Sequence, residues 1–296
     1  MKRLRDIHDN DYLNDLHKMS VHGRESLDKE TPLMGKSFEI ARFGAGGVLD
    51  AVDQIMEHKI PSALCLTAMP GHHAGVSSFG YGSLINPAAA GAQYLSKKYR
   101  MKRIVIIDLD GEHGAGTQEI FWHRRDVMVV SLHEYPGQAG TGHYSEVGEK
   151  SSNGFNINVP LPSGYGDREY RVAWKEIIFP IMAQFQPEIF ILSFGTNALA
   201  EDPSTHLILS EEGLLSFVTE ILRFCRKYSG GRVLSVLEGG TPGHPMSRAV
   251  SQHASLLLNS RMPPADSGKK AELISYSDWY VYAKLLKTLF RKFWKL

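Results

Sequence analysis

The stretch IDLDGEHGAGTQ, residues 107–118, decides the fold. The aliphatic run RIVIIDL at 103–109 leads into it, and this run is too short and too rich in β-branched residues for a typical helix. Asp108, Asp110, Glu112 and His113 follow at its end, beside a glycine-rich turn. Such a stretch indicates either a metal site or a polar cluster that binds the backbone of the turn, and both interpretations stay open.

Other short apolar runs have the same character as 103–109. They predict buried strands at SALCLTA (62–68), VMVVSLH (127–133), EIFILSF (188–194) and RVLSVLE (232–238). Helical patterns lie between some of them, at 38–58, 86–99 and 210–228, with Asn86 and Ser210 as predicted N-caps. Continuous apolar strands that alternate with helices predict an α/β fold, in which a parallel sheet is covered by helices on both faces.

A polar, glycine-containing turn follows each of these strands. The turns are MPGHHAG, DLDGEHGAG, HEYPGQAGTGH, SFGTNALAEDP and EGGTPGH. In open parallel sheets, ligands bind outside the carboxyl ends of the strands. We therefore expect these turns to converge on one rim and to form the functional site.

The composition of the 296-residue chain excludes several classes of protein. There are 33 basic and 32 acidic residues, a net charge of +1, so we expect no direct binding to nucleic acid. The two cysteines, Cys65 and Cys225, lie in apolar runs and predict free thiols. The start of the chain lacks the apolar core of a signal peptide, and no apolar run reaches the roughly 18 residues of a membrane span. These features predict an intracellular protein, cytoplasmic or nuclear.

The carboxyl-terminal part has a different pattern from the rest. We expect a main domain over residues 1–260, a linker over 261–270 and an amphipathic helix over 271–296. Basic residues lie among the apolar positions of this helix. It could dock on a partner or lie on a membrane, but packing on its own domain is the interpretation that we favour.

The order of the motifs resembles the histone deacetylase family of the arginase/deacetylase superfamily. The motifs are PGHHA, D-x-D-x-x-H-G-x-G-T-Q, SLH-x-Y, GTG, N-x-N-V-P-L, G-D-x-E-Y, S-x-G, D-P and LEGG, over residues 7–240. The resemblance implies a three-layer fold with a mostly parallel central sheet of about eight strands. It also implies a zinc-dependent amide hydrolase for acylated lysine or amine substrates. The family carries a further segment and a first strand before the point where this chain begins. We therefore expect an open sheet edge that a protein partner or another copy of the chain covers.

The resemblance assigns roles to residues that match the motifs. The histidine pair that serves as general base and electrostatic partner falls at His72 and His73, and Asp108 is the carboxylate that orients the first of them. The following positions are implied to contact substrate: Phe79 as tunnel wall, Gly195 in S-x-G, position 241 after LEGG, and Glu30 as a rim carboxylate.

Several positions depart from the family pattern. The zinc ligands, an Asp, a His and a second Asp, fall at Asp110, Glu112 and Asn197, so only the first is retained. Thr241 occupies the position of the tyrosine that polarises the substrate carbonyl. Ala115 occupies that of the Asp or Asn that orients the second histidine.

These departures leave two functions open. An all-oxygen ligand set suits Mg²⁺, Mn²⁺ or Ca²⁺ better than zinc, and the site could also hold no metal. The first hypothesis is a ligand- or partner-binding pseudoenzyme with impaired deacetylase chemistry. The alternative is an active hydrolase of acyl-lysine or acyl-amine substrates that uses a non-standard metal site or none.

Overall fold

A computed structural model describes residues 2–23, 26–137, 139–258 and 278–296 of the chain. Within these residues, six strands form one sheet with the order β1-β6-β5-β2-β3-β4. The strands are β1 (Ser62–Cys65), β2 (Ile104–Asp108), β3 (Val127–Glu134), β4 (Asn156–Leu161), β5 (Ile189–Phe194) and β6 (Val233–Leu237). Every neighbouring pair is parallel.

Helices connect the strands and cover the sheet. They are α1 (Asn10–Val21), α2 (Ser37–Met56), α3 (Pro87–Tyr99), α4 (Ala115–Phe121), α5 (Asp167–Ala173), α6 (Phe179–Phe185), α7 (Glu211–Tyr228), α8 (His244–Leu258) and α9 (Asp278–Phe290). A π-helical turn, Trp174–Ile178, joins α5 to α6. No helix in the described ranges combines the length and the apolar character that crossing a membrane requires.

The sheet separates two apolar cores because successive side chains of a strand point to opposite faces. Val105 and Ile107 of β2 belong to the core that includes residues of α5, α6, α7 and α9. Ile104 and Ile106 belong to the other core, with residues of α1, α2 and α3. Strand β2 is therefore buried on both faces, as its unbroken aliphatic sequence predicts.

The α/β fold with a parallel sheet and helices on both faces is confirmed, and so are the predicted strands. The predicted N-caps are also confirmed: Asn86 Oδ1 accepts from the Ala89 amide at 2.9 Å, and Ser210 Oγ accepts from the Gly213 amide at 2.9 Å. The sheet of the described residues has six strands where the resemblance implies about eight. Strand β1 pairs only with β6 among these six, which makes it an edge of the sheet.

The last helix packs on the sheet domain. Trp279, Leu286 and Phe290 of α9 lie fully or almost fully buried in the core shared with α5, α6 and α7. Beyond the helix, the Trp294 indole donates to the Gly154 carbonyl at 2.8 Å. The apolar face of α9 is thus occupied by its own domain, while residues 261–270 and 271–277 lie outside the described residues.

Phe290→Ala should lower the free energy of unfolding by about 3–5 kcal/mol, because it empties a fully buried site. Val281→Ala is the matched control on the same helix. Its side chain is exposed, so the expected change is within about 0.5 kcal/mol. Urea unfolding of both variants measures the difference. Equal, small effects would mean that α9 does not belong to the core.

A buried histidine joins the amino-terminal segment to the rim of the sheet. His8 Nδ1–H donates to the Gly75 carbonyl at 2.7 Å, and Nε2 accepts from the Asn86 amide at 3.1 Å. Both nitrogens of the neutral ring are hydrogen-bonded. Protonation of Nε2 would therefore break the bond that this nitrogen accepts from the Asn86 amide. Burial lowers the pKa of His8 to about 4.

This pKa predicts acid sensitivity. The pKa of an unfolded histidine is about 6.5, so the unfolded chain binds the proton more tightly than the folded chain. The stability contribution should be complete above pH 6.5 and should fall as pH drops towards 4, by at most about 1.4 kcal/mol per pH unit for this group. We expect the free energy of unfolding, measured with denaturant at several pH values in this range, to change less steeply with pH in His8→Gln than in the unaltered chain. The exposed His22→Gln is the control, and an unchanged slope for His8→Gln would contradict the assignment.

Candidate functional site

The polar turns meet at the carboxyl edge of the sheet and hold one another by hydrogen bonds. Glu238, at the end of β6, accepts from the amides of Gly71 at 2.6 Å and His72 at 3.1 Å. Its other oxygen accepts from Ser193 Oγ on β5 at 3.0 Å. Glu238 thus ties the turn after β1 to two neighbouring strands, a role that the sequence did not suggest.

His72 and Asp108 form a buried pair at the centre of this edge. The ring Nδ1–H donates to Asp108 Oδ2 at 2.9 Å, and both side chains are about 1% exposed. The other ring nitrogen, Nε2, lies 3.9 Å from Asp110 Oδ2. The arrangement places His72 between two carboxylates, so Asp108 orients the ring as the resemblance implies.

The charges around His72 favour its protonated form. Burial alone would lower its pKa, but the carboxylates of Asp108 and Asp110 outweigh burial and raise the pKa well above the ordinary value. Burial raises the pKa of the nearby Glu238 to about 7, so this group can take up a proton near neutral pH. Protons on His72 and Glu238 therefore offset part of the negative charge of the buried carboxylates.

Backbone amides hold both oxygens of Asp110. Oδ1 accepts from the Glu112 amide at 3.0 Å, and Oδ2 accepts from the Gly239 amide at 2.9 Å. The side chain is fully buried. Gly195 packs directly against it, because a Cβ at that position would collide with the Asp110 carboxylate. In this structure Gly195 therefore makes space for Asp110, and its predicted contact with substrate stays a prediction.

The orientation of Asn197 is fixed by its own hydrogen bond. Its Oδ1 accepts from the Gly111 amide at 2.6 Å. A backbone N–H can bond only to the oxygen of a carboxamide, so the NH₂ group must occupy the other position. Asn197 Nδ2 lies 3.1 Å and Asp110 Oδ2 lies 2.6 Å from the point that a Cβ on Gly239 would occupy. Asn197 thus turns a hydrogen-bond donor, and not an acceptor, towards the corner that it shares with Asp110.

Glu112 and His73 lie next to this corner. Glu112 Oε2 is 3.7 Å from His73 Nε2, which is longer than a hydrogen bond, and the Glu112 side chain is 20% exposed. Neither ring nitrogen of His73 has a hydrogen-bond partner within the described ranges, although both are buried. Burial and the charge of His72 lower the pKa of His73, so the second ring of the pair is neutral.

The aromatic ring that lies against His73 is that of Tyr81, with ring centroids 4.7 Å apart. Phe79 lines a cleft with Tyr12, Met19 and aspartates of the amino-terminal segment, and its role as a tunnel wall stays a prediction. The sequence carried a signal for Tyr81, because the glycines on both sides of it mark a tight turn. Tyr81 has a φ of +50°, a left-handed conformation that residues other than glycine adopt uncommonly.

Glu30 and Thr241 lie at the edge of the site. The Glu30 carbonyl is 3.9 Å from the point that a Cβ on Gly82 would occupy, so its loop adjoins the turn that carries Tyr81. Thr241 is exposed, and both its amide and its hydroxyl donate to the Asp202 carboxylate, at 2.6 and 3.1 Å. The hydroxyl of Thr241 is therefore engaged with the turn after β5.

Two further buried histidines, His113 and His133, lie near the pair, and only the first of them was a candidate from the sequence. His113 Nδ1 lies 2.8 Å from Thr141 Oγ1, and its ring contacts that of His133 at 4.6 Å. His133 donates through Nε2 to the Gly142 carbonyl at 2.9 Å. Burial lowers the pKa of His113 to about 4 and that of His133 well below its ordinary value. Both rings are structural donors and acceptors and are not proton carriers near neutral pH.

The donors at the three family ligand positions do not form a zinc site. Catalytic zinc requires three ligands that present lone pairs to one point. Asp110 can do so, but Asn197 presents an NH₂ group, and Glu112 faces the ring of His73. Over the ranges that the structure describes, no three or more His, Cys, Asp or Glu residues are grouped to hold a metal ion.

Comparison with known proteins places this site in a family. The model of the "Histone deacetylase domain" matches residues 1–257. The chain is 32% identical over 235 residues to a "Probable deacetylase" of Archaeoglobus fulgidus, covering 79% of this chain and 65% of that protein. It is 31% identical over 239 residues to a "Histone deacetylase-like amidohydrolase" of Pseudomonas aeruginosa, covering 79% of this chain and 62% of that protein. The chain thus spans slightly less than two thirds of these relatives.

A solved structure gives the same result for the fold. The crystal structure of the HDA15 HD domain superposes with a TM-score of 0.86 at 27% sequence identity. The similarity covers 99% of this chain and 79% of the other. The agreement extends over the whole sheet and its helices, and the family model covers all the motifs of the carboxyl edge. The chain therefore belongs to the histone deacetylase family.

Proposed function

We propose that this chain is a deacetylase-fold binding protein that has lost zinc-dependent hydrolysis. The observation that carries the proposal is the hydrogen bond from the Gly111 amide to Asn197 Oδ1 at 2.6 Å. This bond turns the amide NH₂ towards Asp110. A cation at that corner would meet a donor hydrogen in place of a ligand lone pair.

The charges of the site support the same conclusion. A zinc site with two aspartates balances two negative charges with a divalent cation. In a metal-free site, a second aspartate beside the buried Asp110 would be an uncompensated charge, which is costly in a protein interior. Asn197 removes that buried charge and supplies a donor in its place, whereas the negative charge that Glu112 adds lies on a partly exposed side chain. The raised pKa of His72 favours its protonated form beside the two aspartates. The replacement suits a site that carries no metal.

Thr241 supports the loss of hydrolysis independently of the metal. The side chain at this position would have to donate a hydrogen bond to a developing oxyanion. Its hydroxyl instead donates to Asp202 at 3.1 Å, and threonine is much shorter than tyrosine. Loss of one such donor costs roughly 10²–10³ in rate. The retained His72–Asp108 pair then acts as a structural element of a binding site whose ligand is an acylated lysine or amine, or a protein that carries one.

Restoring the family residues tests the proposal. The unaltered chain, supplied with zinc, should hydrolyse an acetyl-lysine peptide no faster than its Asp110→Ala variant. The combined variant Glu112→His, Asn197→Asp and Thr241→Tyr should exceed the unaltered chain by about 10²-fold or more, because it regains ligands and an oxyanion donor. Adding Asp110→Ala to the combined variant is the control and should return the rate to baseline. Zinc-dependent turnover by the unaltered chain that Asp110→Ala abolishes would refute the proposal.

A second candidate is a hydrolase of acyl-lysine or acyl-amine substrates that does not use zinc. The observation that favours it is the intact pair of His72 and Asp108 at 2.9 Å, with a neutral His73 beside it. Two histidines in different protonation states can accept and donate protons, and positioned groups of this kind contribute typically 10²–10⁴ in rate.

For this candidate, acetyl-lysine peptides and acetylated amines would be tested with Mg²⁺, Mn²⁺, Ca²⁺ or chelator. An activity that belongs to the site should fall by about 10²-fold or more in His73→Ala. The exposed His22→Ala should leave it unchanged. An activity that is equal in both variants would not arise from these histidines and would remove this candidate.

A further inference from the structure

A cleft with a volume of about 540 Å³ lies beside His73. It is lined by His73, Ser78, Ala115, Gly116, Gln118, Glu119, Trp122, His123, Thr141 and Glu146. Glu112, Asn197 and Thr241, which carry the proposed function, are not part of this wall. The cleft therefore reaches the histidine pair by a route of its own.

Ala115 and His73 both line this cleft, and the short side chain of Ala115 carries no hydrogen-bonding group. The resemblance places an Asp or Asn at this position, as the hydrogen-bond partner of the second histidine. Ala115 has no such group, and both nitrogens of His73 are left without a partner among the described residues. A buried polar atom without a partner costs about 1–3 kcal/mol. A molecule that supplies the missing group from the cleft would recover this free energy.

The walls of the cleft carry negative charge and one large aromatic ring. Glu119 lies over Gly75, where a Cβ would meet both its carboxylate and the Ser78 hydroxyl. Glu146 accepts from Gln118 Nε2 at 2.6 Å and from the Gly142 amide at 3.0 Å. The lining contains no lysine or arginine, and Trp122 supplies an indole. Carboxylates beside an aromatic face favour an organic cation.

We propose that this cleft binds a small amino alcohol, with its ammonium group at Glu119 and Trp122 and its hydroxyl at the space left by Ala115. A hydroxyl can both donate and accept, so it can bond to a neutral imidazole in either tautomer. It thereby replaces the side chain that the family places at position 115. The inference rests on the proposed function in that the fold is used for binding, and it adds a second ligand, held in this cleft, to the acylated ligand proposed above.

Titration calorimetry with 4-amino-1-butanol tests the inference on the full chain. The expected dissociation constant is about 1 mM or tighter, as suits a ligand of this size. Pentylamine has a methyl group in place of the hydroxyl and should bind about tenfold more weakly, because it leaves the ring nitrogen without a partner. No saturable heat up to about 50 mM, as for a cleft that holds only water, would overturn the inference.

Two variants locate the binding. Ala115→Asn supplies the ring with an internal partner and fills the cleft, so affinity for 4-amino-1-butanol should fall about tenfold or more. Glu119→Gln removes the charge and should weaken binding several-fold. Glu39→Gln, an exposed glutamate on α2, is the matched control and should bind normally. Thermal unfolding verifies that each variant is folded. Binding that is unchanged in Ala115→Asn would overturn the inference.

Different results would refute the proposed function and the binding of an amino alcohol in this cleft. Zinc-dependent turnover by the unaltered chain would remove the proposed function, and the calorimetric titration would still report the cleft. A zinc-free, inactive chain that shows no binding of 4-amino-1-butanol would retain the proposed function and would remove this inference alone.

Discussion

Two fully buried carboxylates at the end of the central strand, Asp108 and Asp110, impose the constraint on which this site depends. Buried carboxylates need compensation by cations, hydrogen bonds or protons. Here the compensation comes from the ring of His72, whose pKa the two carboxylates raise, and from the amides of Glu112 and Gly239. The turns after β1, β2 and β6 converge because each contributes part of this compensation.

The same constraint connects substitutions that look unrelated in the sequence. Replacing an aspartate ligand by Asn197 removes a charge that a divalent cation would otherwise balance. Moving from His to Glu at position 112 places a carboxylate opposite His73, at 3.7 Å and partly exposed, where it needs no metal. Ala115 releases the other side of that ring towards a cleft. The fold of the family is retained, and the proposed function assigns these positions to hydrogen bonding and ligand binding in place of metal binding.

Much of the fold could be predicted because the aliphatic strands are unbroken and each ends in a polar turn. Strand β4 was not predicted from the sequence, since Asn156 and Asn158 interrupt the apolar pattern of NINVPL. The structure shows that their amides bond to Gln118 Oε1, so the polar residues of β4 are internal. The resemblance implies a tunnel-wall role for Phe79, which stays a prediction, while the contact of the Tyr81 ring with His73 at 4.7 Å is a tertiary contact that no sequence motif indicated. Rotation of the Asn197 amide depends on a contact 86 residues away in the chain, which no local pattern reveals.

We propose above that the carboxyl edge of this sheet is a hydrogen-bonded polar site, and such a site should not bind zinc tightly. The most direct test is a competition titration of zinc into the chelator-treated, unaltered chain, with Asp110→Ala beside it. We expect that neither protein binds zinc with a dissociation constant below about 10 µM at a site that the other lacks. One equivalent of zinc bound more tightly than about 1 nM, and lost in Asp110→Ala, would contradict it.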